Sequence, residues 1–596
     1  MTVDVKGDTY MKWQLENLFS TIEDFNKALQ EVFQYVEEVK QYEGKLNDKE
    51  SFKKYFLLQK EFEVKASKVY LYAHLSSDLN KKDVEKANLV SNCMILFNNY
   101  SEAISFEEPE LIQLGKERVF ELLNECPEIE EFRFKFVKLF HVASHILSKD
   151  IEKVISQLSP AASTGSNTYS MLAVADGTQE EVTLTNGEKQ LVTQGNWQTL
   201  IEQLHNPIDQ KNVFESIFKP YEQRKNTFAA IYESIHKSNN AFRKVRGFNS
   251  ILESYLFNNN IPTKVYETLV EVAGNCNDSL KKYIKLRKEY LGLDEYHTYD
   301  RFQSLAKSTK KYSYEDAKQL FFESIEKYPD AFKQNAYDAL KSGYVDVYEQ
   351  SGKRTGAYSS GVANIHPYIL LNYSDSLEDV FTVAHEAGHS IHTLFASQTQ
   401  PVMLQDYTIF VAEIASTFNE HNLLDYLMTS KELSKDEKIV LLQKSIDSII
   451  STFYRQTLFA EFELIASRKV ENEEPINHVV LSQIMIDLYN KYYGIDITKE
   501  QVKQYVWAYI PHLFYTPFYV YQYATSFAAS FKIYQSVKNN EPSAFENYIN
   551  LLKSGGSKYP IEQAKEAGVD FTKRETFEAV TNRMDELVNQ LEQLLK

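Results

Sequence analysis

Residues 377–392 read LEDVFTVAHEAGHSIH, and the small and apolar residues around the two central histidines predict a buried helix. Ser376 and Asp379 can cap its start, because a serine at the N-cap and an acidic residue three positions later satisfy free backbone N–H groups. His385 and His389 are four residues apart, so on this helix both imidazoles face the same way. This spacing is typical of two ligands of one metal ion.

Glu386 directly follows the first histidine, where its carboxylate can reach a water on the metal without filling a coordination position. The pattern therefore predicts a zinc peptidase with Glu386 as general base. The alternative is that His385 and His389 are two helix histidines that hold no metal. A third ligand is needed to decide, because a catalytic zinc site has three protein ligands and one open position.

The sequence after the second histidine limits the choice of third ligand. A metzincin site would need Gly at 392 and His at 395, but these positions hold His392 and Phe395. His392 is therefore expected to support the site or to pack beside it, and not to bind the metal. Between His389 and residue 413 the only acidic residue is Asp406, in an expected loop.

Glu413 and Glu420 follow, seven residues apart on one face of a second apolar helix. A carboxylate in so apolar a stretch is costly unless it is paired or bound to a metal. Glu413 is therefore the expected third zinc ligand. Glu420 is expected to accept a hydrogen bond from a ligand imidazole, and an ordinary ion pair between helices is the alternative.

Most of the chain has the 3.6-residue periodicity of amphipathic helices, so a mostly α fold is expected. The first such helix has Ser20 and Glu23 as its expected cap. Asn186-Gly187 predicts the turn of a hairpin near 180–193. We place a boundary at residue 200, between an N-terminal helical region (1–200) and a catalytic region (201–596). Gly352 to Tyr373 is expected to form one or two strands beside the active site.

The net charge of −18 argues against nucleic acid or an anionic membrane as a partner, because both require a positive surface. The sequence contains no run of 18 apolar residues, so no membrane span is predicted. The first residues do not resemble a signal peptide. Cys93, Cys126 and Cys276 lie far apart and form no CxxC motif, as expected for reduced thiols in a cytoplasmic protein.

Several blocks of sequence carry a resemblance to a known family. They are GAYS at 356–359, HPYILLNY at 366–373, DVFTVAHEAGH at 379–389, VAE at 411–413, residues 512–526, SGGS at 554–557 and AGVD at 567–570. In these blocks the chain resembles the thimet-oligopeptidase-like zinc metallopeptidases, specifically the oligoendopeptidase F branch, over nearly its full length. Ala387 is one departure, at a position where a larger apolar residue is usual.

The resemblance implies a mostly helical, two-lobed clamshell with a deep central channel, small β hairpins or a small sheet near the active site, and one Zn²⁺ per chain. Substrates would be short unstructured peptides that are cut internally. The strand Gly356–Ser359, through Gly356, Ala357 and Tyr358, would pair with the substrate backbone, which would add to it as an edge strand.

The resemblance also implies that a histidine and tyrosines of a late segment stabilise the tetrahedral intermediate. His512 and Tyr523 match that pattern, and Tyr515 is the choice for the other tyrosine. Tyr519 is expected to contact substrate and is the alternative to Tyr515, while plain packing of the tyrosines is also possible. Thr516-Pro517 is expected to cap and begin a helix that carries Tyr519 and Tyr523 on one face.

Two other functions stay open. One is a related exopeptidase that releases dipeptides, and the other is a catalytically silent helical scaffold that captures peptides. The expected partners are short peptides only, and the expected assembly is a monomer or a homodimer.

Overall fold

The computed structural model describes residues 11–177, 180–307 and 310–596. Within these ranges the chain is mostly helical, as predicted. The helices up to residue 203 are α1 (Ile22–Lys40), α2 (Lys49–Leu79), α3 (Val84–Ala103), α4 (Glu107–Leu114), α5 (Lys116–Asn124), α6 (Arg133–Ala143), α7 (Lys149–Ala162), α8 (Thr164–Ser170) and α9 (Trp197–Gln203). The next are α10 (Pro207–Gln223), α11 (Lys225–Arg246), α12 (Ile251–Leu256), α13 (Thr263–Asn275), α14 (Asp278–Tyr290), α15 (Tyr314–Ser324), α16 (Asp330–Ala339), α17 (Leu377–Thr399) and α18 (Ile409–Ser430). The last are α19 (Lys435–Ile449), α20 (Arg455–Glu471), α21 (His478–Tyr493), α22 (Val506–Tyr509), α23 (His512–Tyr515), α24 (Tyr521–Lys538), α25 (Ala544–Lys553), α26 (Pro560–Glu566) and α27 (Arg574–Leu595).

Two small sheets accompany these helices in the described residues. Strands β1 (Glu180–Thr183) and β2 (Lys189–Val192) form an antiparallel hairpin at the place that Asn186-Gly187 predicts. The second sheet contains β3 (Val345–Tyr348), β4 (Tyr358–Ser360) and β5 (Tyr368–Tyr373). Strand β5 lies in the middle, parallel to β3 and antiparallel to β4. The stretch from 352 to 373 thus contains two strands, and β4 is an edge strand.

The chain forms two compact units, each assembled from three separate segments. Unit 1 comprises Met1–Ser144, Thr309–Lys431 and Ala529–Val569. Unit 2 comprises His145–Ser308, Glu432–Ala528 and Asp570–Lys596. This division follows packing and not order along the chain. The expected boundary at residue 200, between regions 1–200 and 201–596, stays a prediction.

Helix α17, which carries both histidines of the opening motif, is a packing centre of unit 1. It packs against α18, and α15, α16 and α25 also contact it. Ser376 caps it as predicted: the Ser376 hydroxyl accepts from the Asp379 N–H at 3.2 Å, and the Asp379 carboxylate accepts from the Ser376 N–H at 3.0 Å. The side chain of Ser20 is not the cap of α1, because the adjacent Thr21 takes the N-cap conformation and accepts from the Asp24 N–H at 3.1 Å.

In unit 2, α20 packs against α11, α13 and α21. The side chains between these helices are large and aromatic, and Tyr232, Tyr266 and Trp507 are buried. Each such ring removes a large apolar surface from water, which is the main stabilising contribution to a helical core of this kind. The short helix α23 and the segment just before α24 lie against this core, because Phe514 and Phe518 are buried in it.

Candidate metal centre

Three donor atoms converge between α17 and α18. His385 Nε2 and His389 Nε2 lie 3.2 Å apart, and Glu413 Oε2 lies 3.4 Å from the first and 3.5 Å from the second. Ligands at 2.0–2.1 Å from a tetrahedral zinc ion are about 3.3–3.4 Å from one another. The three donors therefore have the separations and the chemistry that a zinc ion requires.

Close approach of the two helices makes this convergence possible. Gly388 lies one residue before the second histidine, and a Cβ atom there would lie 2.6 Å from both the Ala415 carbonyl oxygen and the Ser416 Cα. The buried Asn419 side chain also links the helices, since its Nδ2 donates to the Ala384 carbonyl at 3.0 Å. Sequence reasoning missed Asn419, whose only signal is an amide in an otherwise apolar helix.

Glu420 holds the ring of the first histidine. Its Oε1 lies 2.5 Å from His385 Nδ1, so the other ring nitrogen, Nε2, is the one that points toward His389 and Glu413. Burial lowers the pKa of His385, but the hydrogen bond and charge of Glu420, together with the charges of Glu386 and Glu413, outweigh burial and raise it to about 9. Burial and the charge of His385 lower the pKa of His389. Glu413 is held in turn by Ser416, whose hydroxyl donates to Glu413 Oε2 at 2.8 Å.

Glu386 lies beside the triangle and is only 5% exposed. Its Oε2 has no hydrogen-bond partner among the described residues. Burial raises the pKa of Glu386 to about 7, although His385 and the Ser359 backbone N–H lower it. The Ser359 hydroxyl also lies 2.8 Å from that of Ser390 on α17, so this contact ties strand β4 to α17.

His392 and Asp406, the other candidates near the motif, are not among the three converging donors. His392 is buried and stacks on Tyr407, with ring centroids 3.6 Å apart and ring planes 6° apart. Burial lowers the pKa of His392 to about 3, so its imidazole is neutral. The carboxylate of Asp406 accepts from the Tyr407 N–H at 2.9 Å and is not one of the converging groups.

The proposed substrate strand begins two residues later than expected. Gly356 has φ +83° and, with Ala357, precedes β4, whose first residue is Tyr358. The Tyr358 hydroxyl donates to the buried Asp78 carboxylate at 2.7 Å. Asp78 also contacts Arg354 at 3.2 Å, so the Tyr358 side chain serves to anchor the strand. Among the described residues β4 pairs with β5 alone, so it is an edge strand of this sheet.

The late segment belongs to unit 2. The His512 ring stacks with that of Tyr519 at 5.8 Å between centroids, and Tyr523 lies edge-on to both, at 6.3 and 5.6 Å. Tyr515 is instead 43% exposed and contacts Tyr169 at 5.3 Å. The structure thus brings together His512, Tyr519 and Tyr523, and Tyr515 lies apart from them. Burial and the charge of Arg455 lower the pKa of His512, so its imidazole is neutral near pH 7.

The expected helix start at Thr516-Pro517 is wrong, because α24 begins at Tyr521. Between them Phe518 has φ +57°, a left-handed conformation that a bulky residue rarely adopts. The buried Glu463 accepts from the Phe518 N–H at 2.7 Å and holds this conformation. Tyr519 therefore lies in a turn and not on the helix face of Tyr523. Sequence reasoning also missed Glu463.

Comparison with known proteins gives the family. The model of peptidase family M3 matches residues 203–583, and a model described as oligopeptidase F matches residues 110–178. The chain belongs to peptidase family M3. This membership confirms the resemblance inferred from the sequence and the prediction that the chain is a metallopeptidase.

Relatives within family M3 match over nearly the whole chain. Oligopeptidase PepF of Bacillus subtilis is 33% identical, with 98% of this chain and 87% of the relative covered. An oligoendopeptidase F homolog of Borreliella burgdorferi is 36% identical, with 96% of each covered. The crystal structure of oligoendopeptidase-F from Enterococcus faecium has a TM-score of 0.75 at 28% identity and covers 96% of this chain and 99% of that one. No helix in the described part of this M3 chain is both long and apolar enough to cross a membrane.

Proposed function

We propose that this M3 peptidase is a zinc-dependent endopeptidase that hydrolyses internal bonds of short, unstructured peptides. The observation that carries the proposal is the set of three donors at 3.2–3.5 Å with the Glu386 carboxylate beside them. The names of the relatives in Bacillus subtilis and Borreliella burgdorferi, oligopeptidase and oligoendopeptidase, support the class of substrate. The unpaired cysteines support a cytoplasmic location.

The proposed zinc ligands are His385 Nε2, His389 Nε2 and Glu413 Oε2. Bound there, zinc would act as a Lewis acid and lower the pKa of a water molecule to about 7. Glu420 would accept a hydrogen bond from Nδ1 of His385 and so leave the lone pair of Nε2 for the metal. His392 contributes packing behind the ligands through its stack on Tyr407.

Glu386 is the proposed general base and acid. Its Oε2 would take a proton from the attacking water and then deliver it to the nitrogen of the leaving amine. A carboxyl group whose pKa lies near neutrality suits both steps, and burial is what brings the pKa of Glu386 to about 7. The link from Ser359 to Glu386 fixes the carboxylate relative to strand β4.

Strand β4 is the proposed docking edge for the substrate backbone. Because β4 is an edge strand of its sheet, an extended peptide could add to it as a further strand. Gly356 and Ala357 would lengthen that edge, and Tyr358 anchors it through Asp78. His512 and Tyr523, with Tyr519 or Tyr515, are the proposed donors to the oxyanion of the tetrahedral intermediate.

Replacing Glu386 tests the proposal directly. Glu386→Gln should retain about one zinc per chain and lose about 10²–10⁴-fold in kcat on a quenched fluorescent peptide. Glu378→Gln removes an exposed carboxylate from the same helix and should leave kcat unchanged. Wild-type kcat in Glu386→Gln would disprove the role of this residue.

Peptides blocked at both ends separate the remaining functions. An endopeptidase should cut them internally, which mass spectrometry of the products would show. An exopeptidase that releases dipeptides should leave them intact. A silent scaffold should bind the peptides without cutting them and should be purified without zinc.

A further inference from the structure

Unit 2 contains a cavity that the proposed peptidase chemistry does not use. It has a volume of about 200 Å³ and lies between α10, α14, α20 and α21. The cavity is large enough for a small organic molecule, and its lining defines which class would fit.

Three cations line the cavity: Arg301, Arg455 and Lys503. Lys503 is only 8% exposed, and its Nζ lies over the ring of Phe218 at 4.7 Å from the centroid. Burial lowers the pKa of Lys503, and the charges of Arg455 and Arg301 lower it further against the opposite effect of Glu500. The field in the cavity is therefore positive, in a chain whose net charge is −18.

Among the described residues no carboxylate forms a close ion pair with Arg301, Arg455 or Lys503, although the charge of Glu500 acts on Lys503 and Arg301 acts on the buried Asp447. Among the residues that the structure describes, none of the three lies within 4.0 Å of a carboxylate oxygen. Both of these acids have other hydrogen-bond donors: Glu500 accepts from the N–H and hydroxyl of Thr298, at 2.7 and 2.5 Å, and Asp447 accepts from the Tyr283 hydroxyl at 3.1 Å. Buried cations are costly when unpaired, so an anion would stabilise this arrangement.

Aromatic side chains make up a large part of the remaining lining, together with aliphatic and a few polar ones. The aromatic ones include Trp197, Phe218, Tyr489 and Tyr509, and the Trp197 indole N–H donates to the Tyr509 hydroxyl at 3.3 Å. Flat apolar walls suit a planar or apolar body, while the cations suit an acidic group attached to it. A bare inorganic anion would leave most of these walls without contact.

The backbone of the cavity wall departs from a regular α-helix just before Arg455. Residues Ile450–Tyr454 form one π-helical turn between α19 and α20, and Arg455 follows it directly. Ile450, Ser451 and Arg455 all line the cavity. Single π turns inside α-helices are frequent at functional sites, where they displace a side chain from the regular helix face.

We propose that this cavity binds a small organic anion, in which a carboxylate or phosphate group contacts Lys503, Arg455 and Arg301 and an aromatic body fills the space between the rings. Both kinds of acidic group present oxygen acceptors that charged donors bind strongly. The site lies wholly within unit 2 and does not depend on the peptidase assignment.

Calorimetric titration of the full-length protein with benzoate, phenyl phosphate, inorganic phosphate and benzamide tests this inference. At least one of the first two should bind saturably, and benzamide, which has the same ring without the charge, should bind at least about tenfold more weakly. A larger affinity for benzoate would identify a carboxylate ligand, and one for phenyl phosphate a phosphate ligand. Inorganic phosphate should bind more weakly than phenyl phosphate; equal affinity would contradict the organic body.

Two variants place the binding in the cavity. Lys503→Met and Arg455→Met should each weaken binding of the aromatic anion by about tenfold or more. Lys219→Met removes an exposed lysine next to Phe218 on α10 and should leave the affinity unchanged. Unchanged affinity in both cavity variants would overturn the proposal, as would the absence of saturable binding to the wild-type protein.

Thermal unfolding separates a binding role from a structural one. Because an unpaired buried ammonium group destabilises the fold, Lys503→Met should raise the Tm of the ligand-free protein while it removes binding. Quenching of Trp197 fluorescence by the anion should disappear in Trp197→Phe, although calorimetric binding persists. If both cation variants had a lower Tm and kept their affinity for the anion, these residues would have a structural role only, and the proposal would be wrong.

Discussion

The Oε1 atom of Glu420 lies 2.5 Å from Nδ1 of His385, and it thereby decides which ring nitrogen faces the donor triangle. The two residues are 35 positions apart, on α18 and α17. Without this acceptor, the imidazole could rotate or carry its proton on Nε2, and Nε2 would then be unable to bind a metal.

Glu420→Gln should therefore weaken zinc binding by about 10–100-fold. The amide keeps the shape of the side chain but loses the charge that raises the pKa of His385. Competition with a chromophoric chelator measures the affinity. Asp425→Asn, on the same helix but bonded to the Tyr534 hydroxyl at 2.8 Å, is the control and should bind zinc as the wild type does. Equal affinity in all three proteins would show that Glu420 has no role at the metal.

Gly388→Ala should lower the stability of the protein by about 1–3 kcal/mol through overpacking. The added Cβ would meet backbone atoms of Ala415 and Ser416 at 2.6 Å, and backbone cannot move aside as a flexible side chain does. Glycine to alanine within a helix otherwise stabilises by roughly 0.5–1 kcal/mol, so the sign of the change reports the contact between helices. Chemical denaturation measures it, and zinc affinity should fall too because α18 carries Glu413.

Gly274→Ala is a matched control for that experiment. Gly274 also lies in a helix, but its Cβ would meet side-chain ends and no backbone: Lys491 Nζ at 2.6 Å and Glu461 Oε2 at 3.4 Å. The Lys491 side chain and its Glu461 partner can shift together, so this substitution should cost less than Gly388→Ala. Equal destabilisation by both substitutions would mean that the approach of α17 to α18 is not specially tight.

The sequence predicts the metal motif well because its information is local. Two histidines and a glutamate within five residues define a helix face, and an acidic side chain in an apolar helix points to Glu413. The groups that hold the site are not visible in this way. Asn419 reaches a carbonyl 35 residues away, and Tyr358 reaches Asp78 across 280 residues. Only the tertiary fold pairs them.

The late segment shows how a distant contact overrides local preference. Thr516-Pro517 has the composition of a helix start, but Glu463, 55 residues earlier, binds the Phe518 N–H and keeps the chain in a turn. The same turn places Tyr519 against His512. The choice between Tyr515 and Tyr519 thus depends on a contact that sequence spacing does not contain.

Phenylalanine substitutions decide between these tyrosines. If Tyr519 and Tyr523 donate to the oxyanion, Tyr519→Phe and Tyr523→Phe should each lower kcat by about 10²–10³-fold with little change in KM. Tyr515→Phe should retain most of the activity, because that ring is exposed and lies against Tyr169. A large loss of kcat in Tyr515→Phe alone would instead support the choice made from the sequence.

Glu463 should make the stability of the protein depend on pH. Burial raises its pKa to about 8, while an unfolded glutamate has a pKa of 4.5. Between these values the folded state holds a proton that the unfolded state has released, so stability falls as pH rises through this range. Glu463→Gln, which imitates the protonated acid, should remove this part of the dependence, and its Tm should exceed that of the wild type by about 2–4 °C or more at pH 8.

Comparison with Glu463→Ala separates charge from the hydrogen bond. The glutamine oxygen can still accept from the Phe518 N–H, so kcat should be close to that of the wild type. Alanine leaves that N–H buried without a partner and releases the left-handed turn, so Glu463→Ala should lower both Tm and kcat. A loss of kcat in the alanine variant but not in the glutamine variant is expected only if Glu463 positions His512 and Tyr519 through the backbone. Equal kcat in all three proteins would contradict this role, and a parallel fall of Tm with pH in wild type and Glu463→Gln would contradict the raised pKa.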